Sequence, residues 1–147
     1  MCWMSKVEPV RMVAESDIKV YKVLSKRKGH IESPIYNEFR WKVGEVRKCD
    51  SEIVVSFNRF YWLIRKGFHS VRSCPVVEGY KWRSSDSGEA LFMLDSCDYV
   101  YECVIPAGSV YYENEWGDVV SDALIVLTYC STYRRRISRK RRLSLRL

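Results

Sequence analysis

The residues best suited to chemistry begin with His69, set between Phe68 and Ser70 and one of two histidines in 147 residues, the other being His30. Imidazole titrates near neutral pH, so it can carry a proton in either direction beside a hydroxyl. The plainer reading is a hydrogen-bonded histidine at a strand end. Glu113, Glu115 and Asp118 surround Trp116. Such a loop suits a metal or a basic partner, or simply forms a solvated turn. The six cysteines (Cys2, Cys49, Cys74, Cys97, Cys103, Cys130) show no C-x-x-C spacing. Without the paired spacing of a zinc site or a secretion signal, they are expected to be free, reduced thiols. Cys103 adjoins Glu102 with no histidine near in sequence, so a cysteine nucleophile is unsupported. No Gly-rich phosphate loop, H-E-x-x-H or G-x-S-x-G occurs, and no cofactor is expected from the motifs.

A second chemistry belongs to the chain end. From residue 134 the sequence reads RRRISRKRRLSLRL, with Arg134, Arg135, Arg136, Arg139, Lys140, Arg141, Arg142 and Arg146 and no acidic residue. The whole chain has a net charge of +7, and the preceding residues carry 17 basic against 18 acidic side chains. The basicity therefore belongs to the tail. Runs of like charge repel, stay extended and act as interaction arms. The guanidinium fork matches phosphate. The expected partner is nucleic acid or another polyanion. Ile137, Leu143, Leu145 and Leu147 leave a membrane-surface helix open, as does a tail with no role of its own. No apolar run approaches the ~20 residues of a membrane span. The opening MCWMSKVEPV lacks the features of a signal peptide, so a cytoplasmic location is expected. Nothing specifies an oligomeric state.

The elements that would position these groups centre on residues 99–127. Val100 to Ile105 is an apolar run stopped by Pro106, which has no N–H for a ladder. Gly108 provides a turn, Val110–Tyr112 a second strand, and Ala123 to Leu127 a continuously apolar third. Asp17 to Leu24 alternates as a strand, with Ile18, Val20 and Leu24 set against Lys19 and Lys22. Tyr36 to Arg47 alternates around a bend at Gly44. Ser51 to Lys66 places Ile53, Phe57, Phe60, Tyr61 and Ile64 on a helical stripe, with Ser51 as cap and Gly67 as stop. The same segment is rich in strand formers, and period alone does not settle it; a helix is the reading preferred. Gly67 to Ser73 reads as a strand, Cys74 to Gly88 as loop, and 86–97 as a short helix. Residues 1–133 are expected to form one α+β domain, a compact and mostly antiparallel sheet with one or two short helices, and 134–147 a basic tail.

With GFHS at 67–70 and IPAGSVYYENEWGDVVSDALIV at 105–126, the chain resembles a family of small uncharacterised bacterial and phage proteins. The resemblance spans roughly residues 17–127 and brings no assigned activity. Ile105-Pro106-x-Gly108 followed by Asp122 at the head of an apolar strand is also similar, more distantly, to the ADP-ribosyltransferase fold. That similarity implies NAD as cofactor and a cleft formed by Lys22, His69, Ser70 and Asp122. Asp122 stands where that fold usually has Glu, and Lys22 where it has Arg or His. Two functions follow as expectations: a non-enzymatic interaction domain with a polyanion-binding tail, or an NAD-using transferase.

Overall fold

Alternation of side chains is the rule from which the architecture follows. In the segment IKVYKVLSKR, every second residue turns to the same face. Ile18, Val20 and Leu24 lie on the inner face of a ten-residue strand, with Val20 and Leu24 fully enclosed. The structure, a computed structural model, describes residues 3–32, 40–74, 76–78, 81–83, 92–93 and 98–129. In chain order the strands are β1 (Trp3–Ser5), β2 (Met12–Val13), β3 (Ile18–Arg27), β4 (His30–Glu32), β5 (Arg40–Trp41), β6 (Val46–Lys48), β7 (Val55–Asn58) and β8 (Tyr61–Ile64). There follow β9 (Phe68–Val71), β10 (Val76–Glu78), β11 (Lys81–Arg83), β12 (Phe92–Met93), β13 (Asp98–Ile105), β14 (Val110–Glu113), β15 (Asp118–Ser121) and β16 (Ala123–Tyr129).

The main antiparallel sheet runs β2-β14-β15-β9-β3-β13-β16-β6, with β4 beside β3 and β5 beside β4. Strands β15 and β16 are one continuous segment interrupted only at Asp122. The path β15-β9-β3-β13-β16 therefore returns to the chain on which it began, and the sheet wraps around its own core. Inside lie Val20, Leu24, Phe68, Tyr101, Cys103, Ile105, Val119, Leu124 and Val126, closed over by Trp41 and Ala14. Trp41 meets Phe68 edge to face, with ring centroids 5.3 Å apart, a favoured aromatic geometry. A second layer, β1-β8-β7, packs Trp3 and Ile64 against Val120 and Tyr112. A third small sheet is formed by β10, β11 and β12.

The expected strands around Pro106 are present. β13 ends at Ile105, Gly108 takes a φ of 88°, and its N–H donates to Ala14 O at 2.7 Å. The segment Tyr36 to Arg47 is not one strand: its described part is β5, a turn with Gly44 at φ 82°, and β6. The α+β class is overturned, because no helix occurs among the described residues. The segment 51–66 forms the hairpin β7–β8, with Phe57 opposite Trp62 and Val55 opposite Ile64. Its helical stripe loses because β8 is a central strand, held by β7 on one edge and by Trp3–Ser5 on the other. Within 86–97, Phe92–Met93 is strand, paired with β11, where a helix was expected; the rest lies outside the described residues. The segment 74–88, expected as loop, contains β10 and β11.

Gly67 joins the two layers. Its φ is 126°, and a Cβ there would stand 2.5 Å from Val120 Cγ2. Both the left-handed backbone and the close approach exclude a side chain. Gly67→Ala is expected to destabilise the protein by about 2–4 kcal/mol, combining overpacking with backbone strain. A urea midpoint unchanged from that of the parent would refute the close packing.

Candidate functional site

Lys22 sits on the inner face of β3 with Val20 and Leu24, not on the solvent side with Lys19 as its type suggested. It faces Tyr101 on β13. On the other edge Tyr21 pairs with Val71, so one step along the antiparallel register sets Lys22 opposite Ser70. Lys22 Nζ donates to His69 O at 2.6 Å. Burial lowers its pKa to about 8, with only slight support for the charge from Cys103. Ser70 is buried, and its Oγ has no hydrogen-bond partner among the described residues. His69 turns to the other face, opposite Val120. Burial, reinforced by the Lys22 charge, lowers its pKa to about 4, so the ring is neutral at pH 7. Nε2 lies 3.2 Å from Arg65 O. A carbonyl only accepts, so that nitrogen carries the proton and Nδ1 keeps the lone pair.

The structure thus brings Lys22 and Ser70 to the same face, joined to His69 through its backbone carbonyl, while the imidazole lies on the other face. Asp122 is seated elsewhere. Its Oδ1 accepts from Val110 N at 3.0 Å. Since Ser70 pairs with Val119, Asp122 lies three residues further along that segment, about 10 Å away at strand rise. A lysine with a lowered pKa beside a serine is a base–nucleophile pair in principle. Here the Ser70 oxygen is closed off from solvent, so the pair lacks the access that attack on a substrate requires.

The acidic loop is a clasp between the layers. Asn114 Oδ1 accepts from Trp116 N at 3.0 Å and Asp118 N at 2.9 Å, while its Nδ2 donates to Met4 O at 2.8 Å. Glu115 accepts from Lys6 N and Ser5 Oγ. Partial desolvation works against its charge, but the Lys6 and Ser5 donors outweigh that and hold its carboxyl below the usual range. Glu113 pairs with Arg72 at 3.2 Å, and Trp3 Nε1 donates to Asp118 O at 2.8 Å. These carboxylates are spent on structure. Asn114 was missed in the sequence, although an Asn bonding the amide two residues on is a common turn device.

Cys49, Cys74 and Cys103 are free thiols; Cys2, Cys97 and Cys130 lie outside the described residues. Burial, then Asp122 and Asp50, raise the Cys49 thiol pKa. Among the described residues no three His, Cys, Asp or Glu side chains gather as a metal site, and no helix is long and apolar enough to cross a membrane. The tail cations, Arg134 to Arg146, also lie outside the described residues. In comparisons with known proteins the chain matches no family model, no curated protein and no solved structure.

Two outcomes test this geometry. The unfolded chain holds the Lys22 proton up to the ordinary lysine value of 10.5, and the folded chain releases it at about 8. The unfolded state therefore binds more protons between these values, and stability rises with pH across that window. The penalty is present in full below about 8 and amounts to at most about 3 kcal/mol. Lys22→Met should raise stability at pH 7 and remove that rise, which urea melts at pH 7 and 10 would register. Asn114→Ala should cost about 2–4 kcal/mol, because it strands several buried groups at once; a loss below 1 kcal/mol would mean that the clasp carries little.

Proposed function

We propose that the chain is a small non-enzymatic β-domain whose Arg-rich tail, residues 134–147, binds nucleic acid or another polyanion, nucleic acid first. The observation that carries this reading is the partition of charge. Eight tail cations face no acidic residue in their segment, while the remaining residues are close to neutral. Interaction with phosphate through counterion release follows from that density of arginine.

A cytoplasmic location accords with this function. The enclosed Ser70 oxygen and the separate seat of Asp122 leave the transferase reading without a specific observation in its favour.

Removal of residues 134–147 should abolish most affinity for duplex DNA at low salt and leave the thermal transition of the body nearly unchanged. For the full chain, neutralisation of about five phosphates gives a slope of log K against log salt near −4.5. Equal binding by the full and shortened chains in a salt titration would overturn the assignment to the tail.

A further inference from the structure

The β7–β8 hairpin spends its aromatic residues on solvent. Phe60, at the tip, is 78% exposed, Phe57 59% and Tyr61 39%. Phe57 and Trp62 face each other across the strands with ring centroids 4.9 Å apart and a tilt of 50°. The base of the hairpin explains itself: Val55, Ile64 and Trp3 pack into the second core. Beyond it Phe57 packs on Trp62 and Phe60 stands in solvent, and exposed apolar clusters of this kind mark contact surfaces. The tip is held in shape without glycine: Arg59 takes a φ of 21°, and Phe60 N donates to Asn58 O.

The tip carries one charge, the exposed Arg59, whereas Arg65 and Lys66 follow Ile64 at the base of the hairpin. Glu115, brought toward β8 through Ser5 opposite Trp62, is already engaged by Ser5 and Lys6. Exposed rings beside a cation are a combination that holds a single strand: bases stack on the rings and a phosphate meets the cation. A lipid surface fits less well. A tip that enters a bilayer keeps charge behind its rings, whereas Arg59 stands at the apex next to Phe60.

We infer that the β7–β8 tip is a stacking platform for the bases of single-stranded nucleic acid, with Phe57 and Phe60 as the rings and Arg59 as the phosphate contact. This rests on the reading of the chain as a nucleic-acid binder and adds a site separate from the tail. Stacking does not release counterions, so this contribution survives salt that collapses the tail's contribution.

The test uses the full chain, with a labelled oligothymidine on the order of ten nucleotides long and a duplex of the same length. Binding is followed by fluorescence anisotropy for the parent, Phe57→Ala and Phe60→Ala. Both rings are solvent-exposed, and circular dichroism confirms that each variant folds. Each variant should lose between about 5-fold and about 100-fold in affinity for the single strand, the range for one stacked base, and less than about 2-fold for the duplex. Its salt slope should match the parent's, unlike that of the chain lacking residues 134–147. Equal losses on both substrates, or no loss on the single strand, overturn the platform. Loss confined to binding of phosphatidylserine vesicles would assign the tip to a lipid surface instead. If Phe60→Ala alters only the sedimentation of the protein, the tip contacts a second copy and the platform is refuted. Should tail removal change neither substrate while Phe60→Ala still weakens the single strand selectively, the tail assignment fails and the platform stands.

Discussion

Everything in the body depends on the corner at Asp122. One segment, 118–129, must serve two parts of a sheet, pairing with β9 and β14 before the corner and with β13 and β6 after it. At the break all three hydrogen-bonding groups of Asp122 are used. Its N–H donates to Val110 O at 3.0 Å, its Oδ1 accepts from Val110 N, and its O accepts from Cys49 N at 2.8 Å. A short acidic side chain turned back on the neighbouring backbone replaces the ladder that the bend interrupts. The partner strand yields as well: the β13–β16 register shifts between Glu102 and Cys103, a bulge that lets a strand follow a bend. Without these two adjustments the sheet stays open and its core meets water on one side.

A sheet wrapped this tightly encloses whatever its alternation turns inward, including side chains that prefer water. Lys22 is the clearest case. Its parity on β3 puts it inside, its ammonium finds one carbonyl, and its charge is weakened by desolvation. The same packing leaves the Ser70 hydroxyl without a partner among the described residues and keeps His69 neutral. Such a group is an energetic burden. The shift of its pKa expresses that burden, and because Ser70 is sealed it gives no evidence of turnover.

Much of this was legible in the sequence where local chemistry decides. Pro106 ends β13 because it lacks an N–H, and Gly108 turns the chain because it tolerates positive φ. The alternation of DIKVYKVL fixed β3, yet residue type misled at Lys22, where parity prevailed over polarity. The segment 51–66 was not legible for a different reason. Its rings satisfy a helical stripe and a pleat equally, and the choice is made by Trp3–Ser5, which pairs with β8 from far upstream. No window of sequence contains that information. The GFHS motif hid its meaning likewise: Gly67 is needed because of Val120, a contact that only the folded layers create. Asp122 was read correctly as the residue that opens a strand, but its carboxylate turned out to serve the strand and not a cleft. In the acidic loop, Glu115 is engaged by an amide and a hydroxyl and Glu113 by the Arg72 guanidinium.

The distribution of cations separates two kinds of recognition. Long-range attraction scales with net charge, and a body with 17 basic and 18 acidic residues exerts little. In the proposed function, capture of a polyanion falls to the arginine-rich residues 134–147, and binding of that kind is electrostatic, indifferent to base sequence and sensitive to salt. The contact proposed at the hairpin is short-range, because a ring gains only when a base lies on it. A run of like charges attracts a polyanion without orienting it, whereas a pair of rings on a hairpin would orient what it touches but would not attract it from a distance. If both proposed contacts operate on one chain, the first would raise the local concentration of nucleic acid for the second, and the near-neutral body would keep the two contributions distinct: salt would weaken one and leave the other.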